Sequence, residues 1–399
     1  MNIVLSPRRL HGSVTPPPSK SDAHRLLIAM ALSDRPSRMR LTASNDDIAA
    51  TIRCLKALGA GIAMDAQCVC VTPIAAAQKN ALCDCGASGS TLRFITPVAA
   101  ALHGAVLTGR GRLAVRPMEP LLSLLRAHGC EITGEKLPVT VSGGLKSGQY
   151  SLRGDVSSQF VTGLLYALPL LSGDSTITLT TSLQSRGYVD MTLQTLRRFG
   201  ITVAEENDTF RIPGGQRCIA PEGDLIPEGD WSGAAFWYGA NYLGGSVDIL
   251  GLCADSPQRD KKIAQFAQQL PDEIDVGDMP DLLPILSIMA CKKAGDTHFV
   301  NAARLRIKES DRLASSRQMI INLGGSAETT ADVLVVHGTG CLRGGTVDGM
   351  NDHRIVMSAA IASCLCEKEV TILGAEAAKK SYPAFLQDFE QLGGKAHVL

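Results

Sequence analysis

Hydroxyl, lysine and arginine side chains collect at a few short stretches of this 399-residue chain, each set against an apolar run. Ser19-Lys20-Ser21, with Arg25, precedes Leu26-Leu27-Ile28-Ala29-Met30-Ala31-Leu32. Gly86-Ala87-Ser88-Gly89-Ser90-Thr91 with Arg93, Ser157-Ser158-Gln159, Asp230-Trp231-Ser232-Gly233, Asp278-Met279-Pro280-Asp281 and Asn351-Asp352-His353-Arg354 stand in the same position before other apolar stretches. A second set opens amphipathic stretches: Arg116-Pro117, Ser185-Arg186-Gly187-Tyr188, the run from Arg304 through Lys308-Glu309-Ser310-Asp311 to Arg312, and Lys380-Ser381-Tyr382-Pro383. The start of a helix presents unpaired amides and the positive end of a dipole. With Ser and Gly donors it suits phosphate, while Arg116, Arg312 and Arg354 suit two-toothed grip of a carboxylate. Taken singly, each has a plainer reading. Ser88 to Thr91 is also a tight turn with a cap, and Ser157-Ser158-Gln159 is also a cap whose Gln completes a capping box. Lys308 to Arg312 reads either as a solvated first turn or, because Leu305 and Ile307 alternate before it, as the end of a strand that delivers charge to a cleft.

Recurrence decides between these readings. Apolar helices are expected from near Ser21, Gly89, Ser158, Ser232, Asp281 and Asp352. Each is followed by an amphipathic helix with a terminator: Gly59, Gly129, Gly200, Pro271, Gly324 and Gly393. The six spans all run to about forty residues, the mark of an internal repeat. Helices apolar all round are buried, and amphipathic ones line a surface. Between the two helices lies a β-like run, as in Ala105-Val106-Leu107 or Val370-Thr371-Ile372-Leu373. Others follow the second helix, as in Ile201-Thr202-Val203 or Ala396-His397-Val398. The expected fold class is α/β (α+β), two similar domains of three βαβαββ units each, with the buried helices parallel and packed behind sheet. The expected division is residues 17–222 against 223–399, with residues 1–16 joining the latter across the stiff Pro16-Pro17-Pro18 connector.

Composition narrows the function. Basic and acidic residues balance at 39 each, which argues against a nucleic-acid surface or a basic membrane arm, so countercharge for an anion must be local. The twelve cysteines hold no C-x-x-C and no nearby His set. The pairs Cys68/Cys70, Cys83/Cys85 and Cys364/Cys366 are expected as small buried side chains on one strand face. Free thiols, no secretory signal pattern and no apolar run of membrane-spanning length lead to the expectation of a soluble cytoplasmic protein.

In order along residues 19–390, the segments Ser19-Lys20-Ser21…Arg25, Ser88-Gly89…Arg93, Arg116-Pro117, Gly154-Asp155-Val156-Ser157-Ser158-Gln159-Phe160, Met279-Pro280-Asp281, Arg306-Ile307-Lys308-Glu309-Ser310-Asp311-Arg312, Asn351-Asp352-His353-Arg354 and Lys380-Ser381-Tyr382-Pro383 resemble the 5-enolpyruvylshikimate-3-phosphate synthase family. The resemblance implies an inside-out α/β barrel in each of two domains, closing over an active site in the interdomain cleft. It implies transfer of the enolpyruvyl group of phosphoenolpyruvate to the 5-hydroxyl of shikimate 3-phosphate, by a monomer with no cofactor, no metal and no nucleic-acid or membrane partner. The same resemblance makes Asp281 the base and Glu309 the proton donor, assisted by Lys20 and Lys380. It assigns shikimate 3-phosphate to Lys20, Ser21, Arg25, Ser157, Ser158, Gln159, Ser185, Asp281, Arg304 and Lys308. Phosphoenolpyruvate falls to Lys20, Gly89, Arg116, Gln159, Arg312, Arg354 and Lys380.

Four positions depart from the common family pattern: Ala87 and Arg304 where Asn is usual, Gly187 and Phe94 where Pro is usual. Two other readings share the scaffold. One is an enolpyruvyl transferase acting on UDP-N-acetylglucosamine, which uses a loop cysteine as acid and carries Lys-Asn where this chain has Lys20-Ser21. The other is an anion-binding relative without catalysis, which would tolerate loss of Asp281 or Glu309.

Overall fold

The apolar stretches form helices, and each is paired with a second one. In the computed structural model, which describes all 399 residues, the pairs are α1 (Lys20–Ala31) with α2 (Asp46–Ala57), α3 (Gly89–Ala101) with α4 (Glu119–Ala127), and α5 (Ser158–Ala167) with α6 (Arg186–Arg198). They continue with α7 (Trp231–Tyr242) and the short α8 (Ile263–Phe266), α9 (Leu283–Lys292) and α10 (Arg312–Asn322), α11 (His353–Ala362) and α12 (Phe385–Gln391). The first member of each pair is sequestered: every residue from Ala23 to Ala31 of α1, and all of α11, is buried. In α2 the buried residues (Ile48, Ala50, Thr51, Ile52, Cys54, Leu55) leave a polar face, as an amphipathic surface helix should. Side-chain caps start several of these helices. Ser88, Ser157, Asp230, Asp311 and Asp352 each accept from an amide of the following turn.

Four sheets share one plan, a parallel pair extended by an antiparallel hairpin. Ala81–Asp84 pairs parallel with Gly104–Thr108, which pairs with Val139–Ser142 and then Ile132–Thr133. The same order holds for Gln149–Leu152, Ser175–Leu179, Thr209–Ile212 and Ala204–Glu206, and for Glu273–Asp275, Gly295–Val300, Leu334–Gly338 and Ser326–Thr329. In the sheet of Gly345–Asp348, Val370–Leu373 and Lys395–Val398, the inner hairpin position is filled from the far end of the chain, by Ile3–Ser6. The sheet beside α1 has three strands, and Leu225 takes the vacant parallel edge, with its amide and carbonyl bonded to Arg38 and Arg40 at 2.8 Å.

The chain divides into two compact units, Met1–Ser19 with Glu228–Leu399, and Lys20–Pro227. Each has its own apolar core. The Ser19 amide donates to the Glu228 carbonyl at 2.7 Å, which ties the two chain crossings together at that boundary. Where buried helices approach closely the sequence supplies glycine: a Cβ on Gly163 of α5 would lie 2.4 Å from the Arg93 carbonyl oxygen of α3.

Four local expectations fail. Leu305 and Ile307 do not alternate on a strand. Ala303–Ile307 is a 3-10 turn with Leu305 buried and Ile307 out in solvent, so the period there is set by a turn that docks one leucine. Ile201–Val203 is irregular and its strand starts at Ala204, because Ile201 closes the end of α6 by bonding to the Leu196 carbonyl. Cys68 is buried but Cys70 is exposed, and Cys364 and Cys366 follow α11 in a turn. Only Cys83 and Cys85 are both buried as expected. Gln159 does not complete a capping box; its amide is committed elsewhere, as described below.

Candidate active site

In the unit Lys20–Pro227 the polar helix starts gather around α1, α3 and α5. Lys20, at the first residue of α1, pairs with Asp47 of α2 at 2.9 Å, and both side chains are largely covered. Arg25 is buried. Its Nε donates to Thr192 Oγ1 at 2.9 Å, and its two Nη atoms donate to the carbonyls of Ser21 and Tyr188 at 2.6 Å. The guanidinium carbon lies 5.2 Å from the centroid of the Phe94 ring, a cation–π contact. Ser185 starts α6 from a left-handed conformation at φ 57°, and Ser21 lies one residue into α1.

Gly89 leaves room for two guanidinium groups. A Cβ there would stand 2.5 Å from Arg116 Nη1 and 3.0 Å from Arg93 Nη1. Arg93 in turn donates to Gln159 Oε1 at 2.7 Å and to the Pro117 carbonyl at 3.1 Å, while Gln159 Nε2 donates to Ser90 at 3.0 Å. Ser157 and Ser158 stand beside Gln159 at the start of α5. Gly89, Arg116, Gln159 and the Ser88–Ser90 loop therefore form one neighbourhood, with two cations at a helix N-terminus. Arg93 organises it. The sequence displayed Arg93 at the right helix start without showing that it would turn inward.

In the other unit the cluster is denser. Arg312, the first residue of α10 and 1% exposed, spreads three nitrogens over three carboxylates. These are Asp281 at 2.5 Å, Glu309 at 2.9 Å and Asp352 at 3.0 Å. Arg354 donates to the second Asp281 oxygen at 3.1 Å and to the Ser232 carbonyl at 2.8 Å. Burial pushes the Asp281 carboxyl up, but Arg354 and Arg312, with Lys308, more than offset it and hold it well below the usual range. Asp352 is fully covered; it accepts from Ser310 and caps α11 through the Arg354 amide, both at 2.9 Å. It had no assigned role in the sequence although it stands inside Asn351-Asp352-His353-Arg354. Burial drives the Lys308 ammonium down to about 7, the charge of Asp281 opposing and that of Arg304 adding. Arg304 lies in the 3-10 turn before it, and Lys380 donates to the Asn351 carbonyl at 2.5 Å.

Chemically this second cluster holds two carboxylates, 21% and 24% exposed, against arginines that an anionic ligand would also seek. Asp281 is held ionised and Glu309 sits three residues before the shared arginine, so acid–base work on an anion is within the cluster's means. No group of His, Cys, Asp and Glu is arranged to hold a metal, and no helix is long and apolar enough to cross a membrane. Cys130, a conceivable thiol acid, is buried just after α4, where burial pushes its thiol up to about 11.

The family model described as EPSP synthase (3-phosphoshikimate 1-carboxyvinyltransferase) matches residues 4–389. The 3-phosphoshikimate 1-carboxyvinyltransferase of Clostridium kluyveri is 40% identical over 417 residues, covering 98% of this chain and 97% of the relative. That of Clostridium novyi is 38% identical over 426 residues, covering 98% of each. Among solved structures, EPSP synthase from Acinetobacter baumannii matches with a TM-score of 0.83 over 100% of both chains at 24% identity, a likeness of fold.

Proposed function

The chain belongs to the EPSP synthase family, and on that premise we propose that it transfers the carboxyvinyl group of phosphoenolpyruvate to the 5-hydroxyl of shikimate 3-phosphate and releases phosphate. The reaction is an addition followed by an elimination. A proton reaches C3 of the enol, the hydroxyl oxygen bonds to C2, and the tetrahedral adduct then loses a C3 proton and the phosphate. It needs a base at the hydroxyl, an acid at the methylene, and cations for two phosphates and one carboxylate.

The observation that carries the role assignment is the Arg312 cluster. Asp281 and Glu309 are two carboxylates of one network, yet they differ in what holds them. Asp281 is gripped by both Arg312 and Arg354, and Glu309 pairs with Arg312. Asp281 kept ionised is the base for the hydroxyl. Glu309 gives and retrieves the methylene proton. Arg312 and Arg354 take the carboxylate of phosphoenolpyruvate, which displaces the protein carboxylates from them. Lys308 and Arg304 attract the acceptor, and Lys380 serves the leaving phosphate. From the other unit, Arg116 over Gly89 and Gln159 hold the donor. Ser21, Arg25, Ser157, Ser158 and Ser185 hold shikimate 3-phosphate, and Lys20 leaves Asp47 to contact both substrates. Phosphate release measured with each substrate alone and with both tests this reading, with UDP-N-acetylglucosamine as the competing acceptor.

A further inference from the structure

Arg354 has two hydrogen-bonded anchors, and in the proposed reaction only one of them is permanent. Its contact with Asp281 is the one that a bound anion displaces. The other, from Nη1 to the Ser232 carbonyl at 2.8 Å, remains, and Nε is buried without an acceptor. The aim of the guanidinium is therefore set by α7, through the Ser232 carbonyl in its first turn and the Phe236 ring 5.9 Å from the guanidinium carbon.

That turn is held from outside its own helix. Asp260, in the 3-10 turn Arg259–Lys262, accepts the Ser232 hydroxyl hydrogen. Gln258 accepts from the Trp231 amide at 3.1 Å and donates to the Gly229 carbonyl at 3.0 Å, and its own amide is held by Ser256 at 3.0 Å. Ser256, Gln258, Asp260 and Ser232 are all buried. Four polar side chains removed from water are costly unless their geometry is used, and their bonds converge on residues 229–232.

We propose that Asp260 is a positioning residue: through Ser232 it fixes the angle at which Arg354 receives the carboxylate of the enolpyruvyl donor. It touches no substrate, and the inference rests on the function proposed above. Burial, and then the charge of Asp281, push the Asp260 carboxyl up to about 7. Because Ser232 is the donor in this contact, what the contact requires of residue 260 is an oxygen acceptor, which asparagine also supplies.

The test compares wild type with Asp260→Ala, Asp260→Asn and Ser232→Ala in steady-state kinetics, with thermal melts alongside. Asp260→Ala and Ser232→Ala are expected to raise KM for phosphoenolpyruvate about tenfold, the scale of a misaimed anchor. KM for shikimate 3-phosphate stays within about twofold, and Asp260→Asn restores wild-type behaviour. An unchanged KM for phosphoenolpyruvate in Asp260→Ala, or both KM values rising together, overturns the proposal. Should Asp260→Ala fail to fold, Ser232→Ala decides on the same criterion. Should wild type turn over no phosphoenolpyruvate, the functional reading falls instead. Tryptophan fluorescence titrated with phosphoenolpyruvate then decides the inference, and equal affinity in wild type and the alanine variant would reject it.

Discussion

At the scale of residues the central unit is a guanidinium with three carboxylates. Arg312 is buried, so its removal leaves Asp352 ionised in the interior without its main partner. Arg312→Ala is expected to cost about 3–5 kcal/mol of stability, read by denaturant unfolding. Glu309→Gln keeps the shape and loses the proton. It should fold normally while kcat falls about 10²–10⁴-fold, the range of a lost acid or base. Lys308 yields a pH prediction. Its free-protein value lies near 7, so kcat/KM for shikimate 3-phosphate should fall as pH rises through that value. Lys308→Arg, which stays charged, should flatten the fall. His24 yields another. Burial, with Lys20 and Arg25 beside it, holds its imidazole well below the ordinary range. A depressed folded value means the contribution to stability is whole above the unfolded pKa of about 6.5 and is lost as pH falls toward the folded one. The melting temperature of wild type should thus drop on acidification below that pH more steeply than that of His24→Asn.

At the scale of elements the site is a set of helix starts, and their exactness depends on glycine. Gly89→Ala would set a methyl group 2.5 Å from Arg116 Nη1. Because that atom ends a flexible side chain, the arginine swings aside and the protein still folds. KM for phosphoenolpyruvate is expected to rise, with the melting temperature hardly changed. Gly163→Ala meets backbone instead, at the Arg93 carbonyl, so α3 and α5 must part. Its signature is the reverse, a melting temperature lowered by several degrees. The helices themselves were legible in the sequence because apolar runs and their terminators, glycine in five pairs and Pro271 in the fourth, agreed on all six. What escaped lay in the connections. Whether Leu305 and Ile307 mark a strand or a 3-10 turn depends on which side of the backbone the core lies, and two residues cannot encode that. Arg93, Asp47 and Asp260 were equally hidden, since a charged residue near a helix start looks alike whether it faces solvent or turns inward.

At the scale of the whole molecule, one plan of sheet and paired helices recurs, and its irregularities are informative. Leu225 and Ile3–Ser6 complete sheets begun far away in sequence, pairings that no local pattern reveals. The residues assigned to catalysis and binding are divided between Lys20–Pro227 and the other unit. Because donor and acceptor are both reactants in the proposed transfer, turnover is conditional on both ligands. The direct measurement is inorganic phosphate released from phosphoenolpyruvate by the purified protein. Release is expected when shikimate 3-phosphate is present, none when it is omitted, and none when UDP-N-acetylglucosamine takes its place. Release that does not depend on shikimate 3-phosphate, or that follows UDP-N-acetylglucosamine, would contradict the proposed transfer.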